Sequence, residues 1–207
     1  MLKQTFKDQG EFIIYTVEQQ LRMEKGYLPR SERDQLKKMQ EKDYKPTIIK
    51  EEKPKLPIVT NIKELRKLCQ EVTKEDNIKE IIQKLKDTLE SRGGLGITAN
   101  QIGIQKKISY IKIPKMKDKQ LEYTEMILIN AKVIEKKNPI KVQGEGCISF
   151  PGITIDTLRY VYCTCTFLDE NLKETTGLMQ GLESLVTQHE CDHQNSITFF
   201  ERKYKAK

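Results

Sequence analysis

Near its C-terminus the chain reads Gln188-His189-Glu190-Cys191-Asp192-His193, and the rest of the fold is predicted outward from this hexapeptide. We expect it to form a turn and a half of helix. His189 and His193 are four residues apart, so on a helix their imidazoles project from one face and can bind one metal ion. Glu190 follows the first histidine, where a carboxylate can act as a general base beside such an ion.

The apolar residues before the hexapeptide indicate that this helix is buried. Leu182, Leu185 and Val186 precede His189 at the spacings of one helical face. A surface helix with two incidental histidines is the alternative, but imidazoles on a buried face need a ligand or a partner. Catalytic sites of the zinc type use three protein ligands. Only fourteen residues follow His193 and the chain has no third histidine, so the third ligand must come from upstream.

Two stretches upstream have the glycine content of loops. The first is Gly94-Leu95-Gly96-Ile97-Thr98-Ala99-Asn100-Gln101, whose glycines permit close approach of another backbone, although a helix end and turn is the alternative. The second is Gln143-Gly144-Glu145-Gly146-Cys147-Ile148-Ser149-Phe150-Pro151-Gly152. Its cysteine is either a buried free thiol or the missing ligand, and its position favours the ligand.

Length and composition bound the organisation of the chain. Its 207 residues are enough for one domain with an appendage. We expect residues 1–54 to be an N-terminal appendage of unknown role, with helices over 11–24 and 31–43, and residues 55–207 to be the main domain. A net charge of +7 favours acidic neighbours such as nucleic acid or a ribosome surface. Five irregularly spaced cysteines predict free thiols in a reducing compartment, and we expect neither a secretory signal nor a membrane span.

Hydrophobic periodicity predicts an α+β fold. Helices are expected over residues 62–72 and 77–91, the second ending at Gly93-Gly94. Segments with the pattern of strands cover residues 108–113, 125–135 and 159–167. A hairpin turn at 169–171 and one more strand precede the metal helix. We therefore expect antiparallel β-sheets packed around the C-terminal metal-binding helix, with N-terminal helices.

The three motifs, taken together and in order, resemble those of the peptide deformylases. That family carries GxGLAAxQ, EGCLS and QHExDH, which correspond here to residues 94–101, 145–149 and 188–193. The resemblance covers about residues 56–202, so residues 55–207 are expected to be a deformylase-like catalytic domain. The departures from the family pattern are Ile97 and Ile148 for Leu, Thr98 for Ala, and Gln194 and Ser196 for Leu and Gly.

The resemblance implies a metal-dependent hydrolase that removes the formyl group from N-formyl-methionyl nascent peptides. Cys147, His189 and His193 would hold one divalent metal ion, with Fe(II) as the first choice and Zn(II) or Ni(II) as alternatives. A metal-bound hydroxide would attack the formyl carbon, with Glu190 as general acid and base.

The same resemblance assigns the remaining site residues. The Gln101 amide and the backbone N–H of Ile148 would stabilise the oxyanion. The nascent peptide would lie as an added strand against Leu95, Gly96 and Gly146.

The methionine side chain would lie beside the metal helix, in a pocket walled by Leu182, Leu185 and Val186. The alternative is that these three residues belong only to the core. Glu145 and Arg159 would pair and hold the cysteine loop, unless both are simply exposed charges.

Three other functions compete with this interpretation. An HExxH metalloprotease of another class would need a downstream ligand, and a catalytically inactive deformylase-like binding module would not need the intact Glu190 and Gln101. A basic nucleic-acid-binding protein would need an aromatic and basic patch.

The expected partners are formylated nascent peptides and, as a candidate, the ribosome surface, without a membrane or a specific nucleic-acid sequence. The expected location is the cytoplasm in a bacterial or phage-like context, with an organelle left open.

Overall fold

A computed structural model describes residues 56–117 and 120–206 of the chain, and the side chains of residues 116–121 are outside the description. The helices expected at 11–24 and 31–43 lie outside the described residues, so the appendage remains a prediction. In the described part no helix is long and apolar enough to cross a membrane.

The described chain alternates short helices with a run of antiparallel strands. In chain order the elements are α1 (Ile62–Leu65), α2 (Ile78–Arg92), β1 (Gly96–Thr98), a 3₁₀ turn (Ala99–Ile102), β2 (Ile108–Lys117), β3 (Gln120–Gly146), β4 (Thr154–Leu168), β5 (Glu174–Gln180), α3 (Leu182–Gln194) and a second 3₁₀ turn (Phe199–Arg202). The predicted α+β class, with antiparallel strands around a C-terminal helix, is confirmed.

The strands of the described residues form one sheet in the order β1-β2-β3-β4-β5, with every neighbouring pair antiparallel. β3 is much longer than the strand expected over 125–135, because it pairs first with β2 and then with β4. The change occurs at Asn130, whose positive φ of 51° interrupts the register, and asparagine tolerates this conformation better than most residues. Beyond that point β3 pairs only with β4. Tyr160, the residue opposite Pro139, uses its backbone N–H and C=O for Gln188, so Pro139 removes no ladder hydrogen bond there.

Two helices cover opposite faces of the sheet. Successive residues of a strand point to opposite faces, so Ile111 and Ile113 of β2 join the core cluster of α3, while Ile108 and Tyr110 join that of α2. The α2 prediction is confirmed, with Asn77 as N-cap and Gly93 at the C-terminal end. The hairpin turn after β4 is confirmed as well, since Asp169 N–H donates to Lys173 O at 3.0 Å.

The helix predicted over residues 62–72 is wrong in length, because α1 ends at Leu65. The cause is tertiary. Gln70 forms a parallel bridge with Lys106, in which Gln70 N–H donates to Gln105 O and Lys107 N–H donates to Gln70 O. These bonds hold the Gln70 backbone in an extended conformation, which a continued helix would forbid.

Candidate metal centre

Three sulfur and nitrogen donors from two separate parts of the chain converge. Cys147 follows the last residue of β3, while His189 and His193 project from α3, and one donor atom of each lies within 4.8 Å of the other two. Cys147 Sγ and His193 Nε2 are 3.3 Å apart. The cysteine is placed by a tight turn, in which Phe150 N–H donates to Cys147 O at 2.9 Å.

The donor set fits a divalent transition-metal ion. A thiolate and two imidazoles suit Fe(II), Zn(II) and Ni(II), and three protein ligands leave a position open. The Nδ1 atom of His189 is occupied by the Glu145 carboxylate at 2.6 Å, so its Nε2 is the nitrogen left for an ion. A carboxylate on the remote nitrogen fixes the tautomer and makes the imidazole a better donor.

Glu145 is itself held by a buried guanidinium. Arg159, only 2% exposed, donates to Glu145 Oε2 at 2.9 Å and to Oε1 at 2.7 Å. The predicted pairing of these two residues is therefore confirmed. Burial opposes ionisation, but the bonds from His189 and Arg159 hold the pKa of the Glu145 carboxyl well below its usual range. The residue is an anion, as its contact with the imidazole requires.

The ion-pair network extends further than the sequence indicated. Arg159 also donates to Asp192 Oδ2 at 2.5 Å, and Arg202 binds the same carboxylate through its Nη2 at 2.6 Å. Asp192 is the residue before His193, so Arg159 connects Glu145 of the cysteine loop to the metal helix through this ion-pair network. Removing Arg159 would take both guanidinium bonds from the buried Glu145 and one of three from Asp192, which would keep its two bonds from Arg202.

The two imidazoles differ in charge preference. Burial and the neighbouring His189 lower the pKa of His193 well below its ordinary value, so its imidazole is neutral, the form that binds metals. Burial also disfavours charge on His189, but its hydrogen bonds with Cys147 and Glu145 raise its pKa above the ordinary value. The difference in pKa follows from the contacts of His189 with Cys147 and Glu145, whereas the Nδ1 of His193 has no hydrogen-bond partner among the described residues.

Glu190 lies on the same helix with its carboxylate buried. It is 3% exposed, and Thr98 donates to its Oε2 at 2.7 Å. Burial raises the pKa of Glu190, and the charge of His189 and the bond from Thr98 oppose this only in part. A carboxyl whose pKa is raised is better matched to proton transfer near neutral pH than an exposed one.

Gln101 and Ile148 flank Cys147 on two sides. Gln101 is 1% exposed, its Oε1 accepts from Thr98 N–H at 2.8 Å, and its Nε2 donates to Ser149 Oγ at 3.1 Å and to Cys147 Sγ at 3.5 Å. Both amide hydrogens therefore already have acceptors, and an oxyanion would have to replace one of them. Ile148 is half-buried, and its side chain packs at the α2 core cluster.

The residues expected to contact a peptide backbone lie at or next to the ends of strands, and one of them lies against Glu190. Gly96 is in β1, an edge strand of the described sheet, and a Cβ on it would lie 2.5 Å from Glu190 Oε1. Leu95 precedes it and binds β2 through its carbonyl, which accepts from Lys112 N–H at 2.8 Å. Gly146 is the exposed last residue of β3, next to Cys147.

The three apolar residues of the metal helix do not share one environment. Leu182 is 6% exposed and belongs to the core cluster beneath α3, as the alternative interpretation held. Leu185 is 8% exposed. Val186 is half-buried, and like Leu95 it packs against the edge of that cluster. Of these four residues, only Val186 and Leu95 keep appreciable solvent-accessible apolar surface that a substrate side chain could contact.

Comparison with known proteins identifies the family. A family model described as Polypeptide deformylase matches residues 56–207. The chain belongs to this family. A peptide deformylase from Brachyspira hyodysenteriae is 32% identical over 139 residues, 67% of this chain and 74% of that protein, and one from Aquifex aeolicus is 32% identical over 128 residues, 62% of this chain and 74% of that protein.

Solved structures of deformylases have the same fold. A peptide deformylase from Plasmodium falciparum has 30% sequence identity and a TM-score of 0.64, covering 72% of this chain and 87% of its own. One from Synechococcus elongatus, in complex with actinonin, has 28% identity and a TM-score of 0.64, covering 74% of this chain and 81% of its own. The chain is an enzyme of the peptide deformylase type, a hydrolase of protein biosynthesis. This assignment favours the predicted family over HExxH metalloproteases of other classes.

Proposed function

We propose that this enzyme hydrolyses the formyl group from N-formyl-methionyl nascent peptides, giving formate and a free amino terminus. The observation that carries the proposal is the convergence of Cys147, His189 and His193 within 4.8 Å, with the buried carboxylate of Glu190 on the same helix. The family is metal-dependent, and no other group of three or more His, Cys, Asp or Glu side chains in the described residues has this arrangement.

The metal would be held by Cys147 Sγ, His189 Nε2 and a nitrogen of the neutral His193 imidazole. Fe(II) is our first choice, with Zn(II) and Ni(II) as alternatives, because all three accept one thiolate and two imidazoles. A divalent ion in this position supplies Lewis acidity, which makes water a nucleophile near neutral pH.

The side chains around the donors would handle the proton and the developing charge. Glu190 takes a proton from the attacking water and gives it to the leaving amine. Gln101 turns one amide hydrogen from Ser149 or Cys147 to the formyl oxygen, and the backbone N–H of Ile148 provides a second donor. Turning from Ser149 would leave its buried Oγ without that donor, whereas the contact with Cys147 Sγ is longer, 3.5 Å against 3.1 Å, and is the weaker one to give up.

The peptide would bind by strand addition along the free edge of β1, with Leu95 and Gly96 on one side and Gly146 on the other. Backbone hydrogen bonds do not depend on the side chains of the substrate. This mode suits an enzyme that accepts many different nascent chains.

Gly96→Ala is expected to lower kcat for formate release by about 100-fold while the protein stays folded. The Cβ of the introduced alanine would collide with Glu190 Oε1, so the carboxylate would have to move away from its working position. A displacement of about 1 Å of a catalytic group can lower the rate by about 100-fold. The matched control is Gly177→Ala in β5, whose Cβ would lie 3.0 Å from the flexible end of Met179 and in ordinary contact with Phe167. Equal activity of the two variants would contradict the close approach of Gly96 to the base.

The methionine side chain would pack against Val186 and Leu95, with Leu182 and Leu185 behind them. Burial of a methionine side chain is worth roughly 1.5–3 kcal/mol, so formyl-Ala peptides should lose about 10- to 100-fold in kcat/KM relative to formyl-Met peptides. Val186→Phe should reduce this preference and leave the metal content unchanged. Leu178→Phe, at a position 69% exposed on β5, is the control. An unchanged preference in Val186→Phe would place the pocket elsewhere.

The test of the proposed function is formate release from a formyl-Met peptide by anaerobically purified enzyme, with metal analysis of the same sample. We expect formate in proportion to bound metal and its loss after chelation. Metal-loaded protein that releases no formate would overturn the proposal.

If formate is released as expected, formylated nascent chains are the partners of the enzyme. The ribosome surface is a second candidate partner, because a net charge of +7 favours an acidic surface. Action in the cytoplasm stays a prediction.

A further inference from the structure

Three polar side chains lie fully buried behind Glu190. Thr98, Ser109 and Gln194 are each 0% exposed, and they come from β1, β2 and the last position of α3. Thr98 and Gln194 are two of the positions at which the sequence departs from the family motifs, which have Ala and Leu there. Thr98 and Gln194 are far apart in the sequence, but both are hydrogen-bonded to Ser109.

The contacts form a continuous chain that ends on the carboxylate. Gln194 Nε2 donates to Ser109 Oγ at 2.9 Å, Ser109 Oγ and Thr98 Oγ1 are 2.7 Å apart, and Thr98 Oγ1 lies 2.7 Å from Glu190 Oε2. All three distances are those of well-formed hydrogen bonds.

The direction of these bonds is fixed by the groups at the two ends, Gln194 and Glu190. Its Oε1 accepts from Ala131 N–H at 2.9 Å, and one Nε2 hydrogen is taken by Leu128 O at 2.8 Å. The other hydrogen can therefore only be donated to Ser109. At the other end the ionised Glu190 carboxylate can only accept, so Thr98 gives it its one hydrogen, and Ser109 must then be the donor to Thr98. Each donor polarises the next, so the final hydrogen bond to the carboxylate is strengthened.

The two oxygens of Glu190 are thereby distinguished. Oε2 accepts the Thr98 hydrogen bond, which is shorter than the alternative from Thr98 Oγ1 to the backbone O of Glu190 at 3.3 Å. Oε1 lies on the side of Gly96, where a Cβ would be only 2.5 Å away. The anchored oxygen faces the interior and the other faces the strand along which the peptide would lie.

We propose that Thr98, Ser109 and Gln194 form a positioning chain that anchors Oε2 of Glu190 and leaves Oε1 as the oxygen that exchanges the proton with substrate. The proposal rests on the proposed function, in which Glu190 is the acid–base group. None of the three residues is a catalytic residue, because they act only through the orientation of that carboxylate.

Thr98→Val keeps the shape of the side chain and removes the donor. We expect kcat to fall by about 10- to 100-fold, the worth of a hydrogen bond to a charged group, with KM and metal content within about twofold of the wild type. Thr98→Ser restores the donor and should recover kcat to within about threefold. Thr88→Val is the matched control, since Thr88 is a buried threonine of α2 whose hydroxyl bonds only Lys84 O.

Gln194→Leu and Ser109→Ala break the same chain further from Glu190. They should lower kcat by a smaller factor, about 3- to 10-fold, again without a change in KM. These two variants decide the question if Thr98→Val fails to fold. A fall in metal content or a rise in KM that parallels the loss of kcat in all three would mean a structural role and would overturn the proposal.

The decisive comparison introduces Thr98→Val into Glu190→Gln protein, with formate measured over long incubations. If Thr98 acts through the carboxylate, its effect on kcat disappears in this background. The same loss in both backgrounds, or none in either, overturns the positioning chain. Wild-type turnover by Glu190→Gln alone would instead overturn the acid–base assignment, a result that does not involve Thr98 and so separates the two failures.

Discussion

Cys147→Ala is expected to lose the bound metal and the formate-releasing activity together. The three donors converge within 4.8 Å, and the substitution removes the sulfur. Two imidazoles alone are an incomplete site, since catalytic centres of this kind use three protein ligands. Metal per protein chain and formate release, measured on one anaerobic preparation, should both fall to background.

The other cysteines provide the controls. Cys69→Ala, Cys163→Ala and Cys165→Ala should retain metal, because these buried thiols are outside the converging donor group, although Cys69 Sγ lies 3.8 Å from the backbone O of His193. Burial raises the pKa of the Cys163 thiol to about 11, which disfavours the thiolate that a metal would need. Stoichiometric metal in Cys147→Ala protein would refute the ligand set. Metal loss in Cys163→Ala would show that the core, rather than the sulfur donor, had been disturbed.

The sequence predicted best those features that depend on local spacing. Two histidines four residues apart define a helical face in any fold, and the glycine-flanked Cys147 required only a turn. The meeting of these two parts followed from the resemblance to a family, since spacing along a chain does not determine distance in space.

The sequence failed where tertiary contacts override local preference. The predicted helix over 62–72 stops at Leu65 because the Gln70 backbone pairs with the segment around Lys106. The length of β3 was underestimated because the predicted strand stopped at residue 135, whereas pairing with β4 continues β3 to Gly146.

Polar residues in the interior were the hardest to interpret. The binding of Asp192 by Arg159 and Arg202 depends on how closely β4 and the second 3₁₀ turn approach α3, which no periodicity reports. Thr98 and Gln194 were visible only as departures from a motif. A signal existed, because two polar residues at positions usually apolar must find partners when buried, and they found a common partner in Ser109.

Glu190→Gln is expected to lower turnover by roughly 10²- to 10⁴-fold while the metal is retained, the usual contribution of a positioned acid–base group. The glutamine side chain has the same shape and can still accept from Thr98, so position is preserved and only the proton chemistry is removed. Glu190→Ala should be at least as slow. Glu183→Gln, in the first turn of the same helix, is the control for the same change away from the metal. Near-normal kcat in Glu190→Gln would mean that another group carries the proton.

The stability of Glu190→Gln should separate function from folding. A carboxylate at 3% exposure is costly to bury, as its raised pKa indicates, and a neutral isostere avoids that cost. The thermal midpoint of Glu190→Gln should therefore equal or exceed that of the wild type, although the enzyme is nearly inactive. Glu190→Ala should instead melt lower, because it leaves a cavity and the Thr98 hydroxyl without its acceptor. A lower midpoint for Glu190→Gln as well would mean that the charge helps to hold the fold. A midpoint at or above the wild type would mean that the charge is retained for catalysis at the expense of stability.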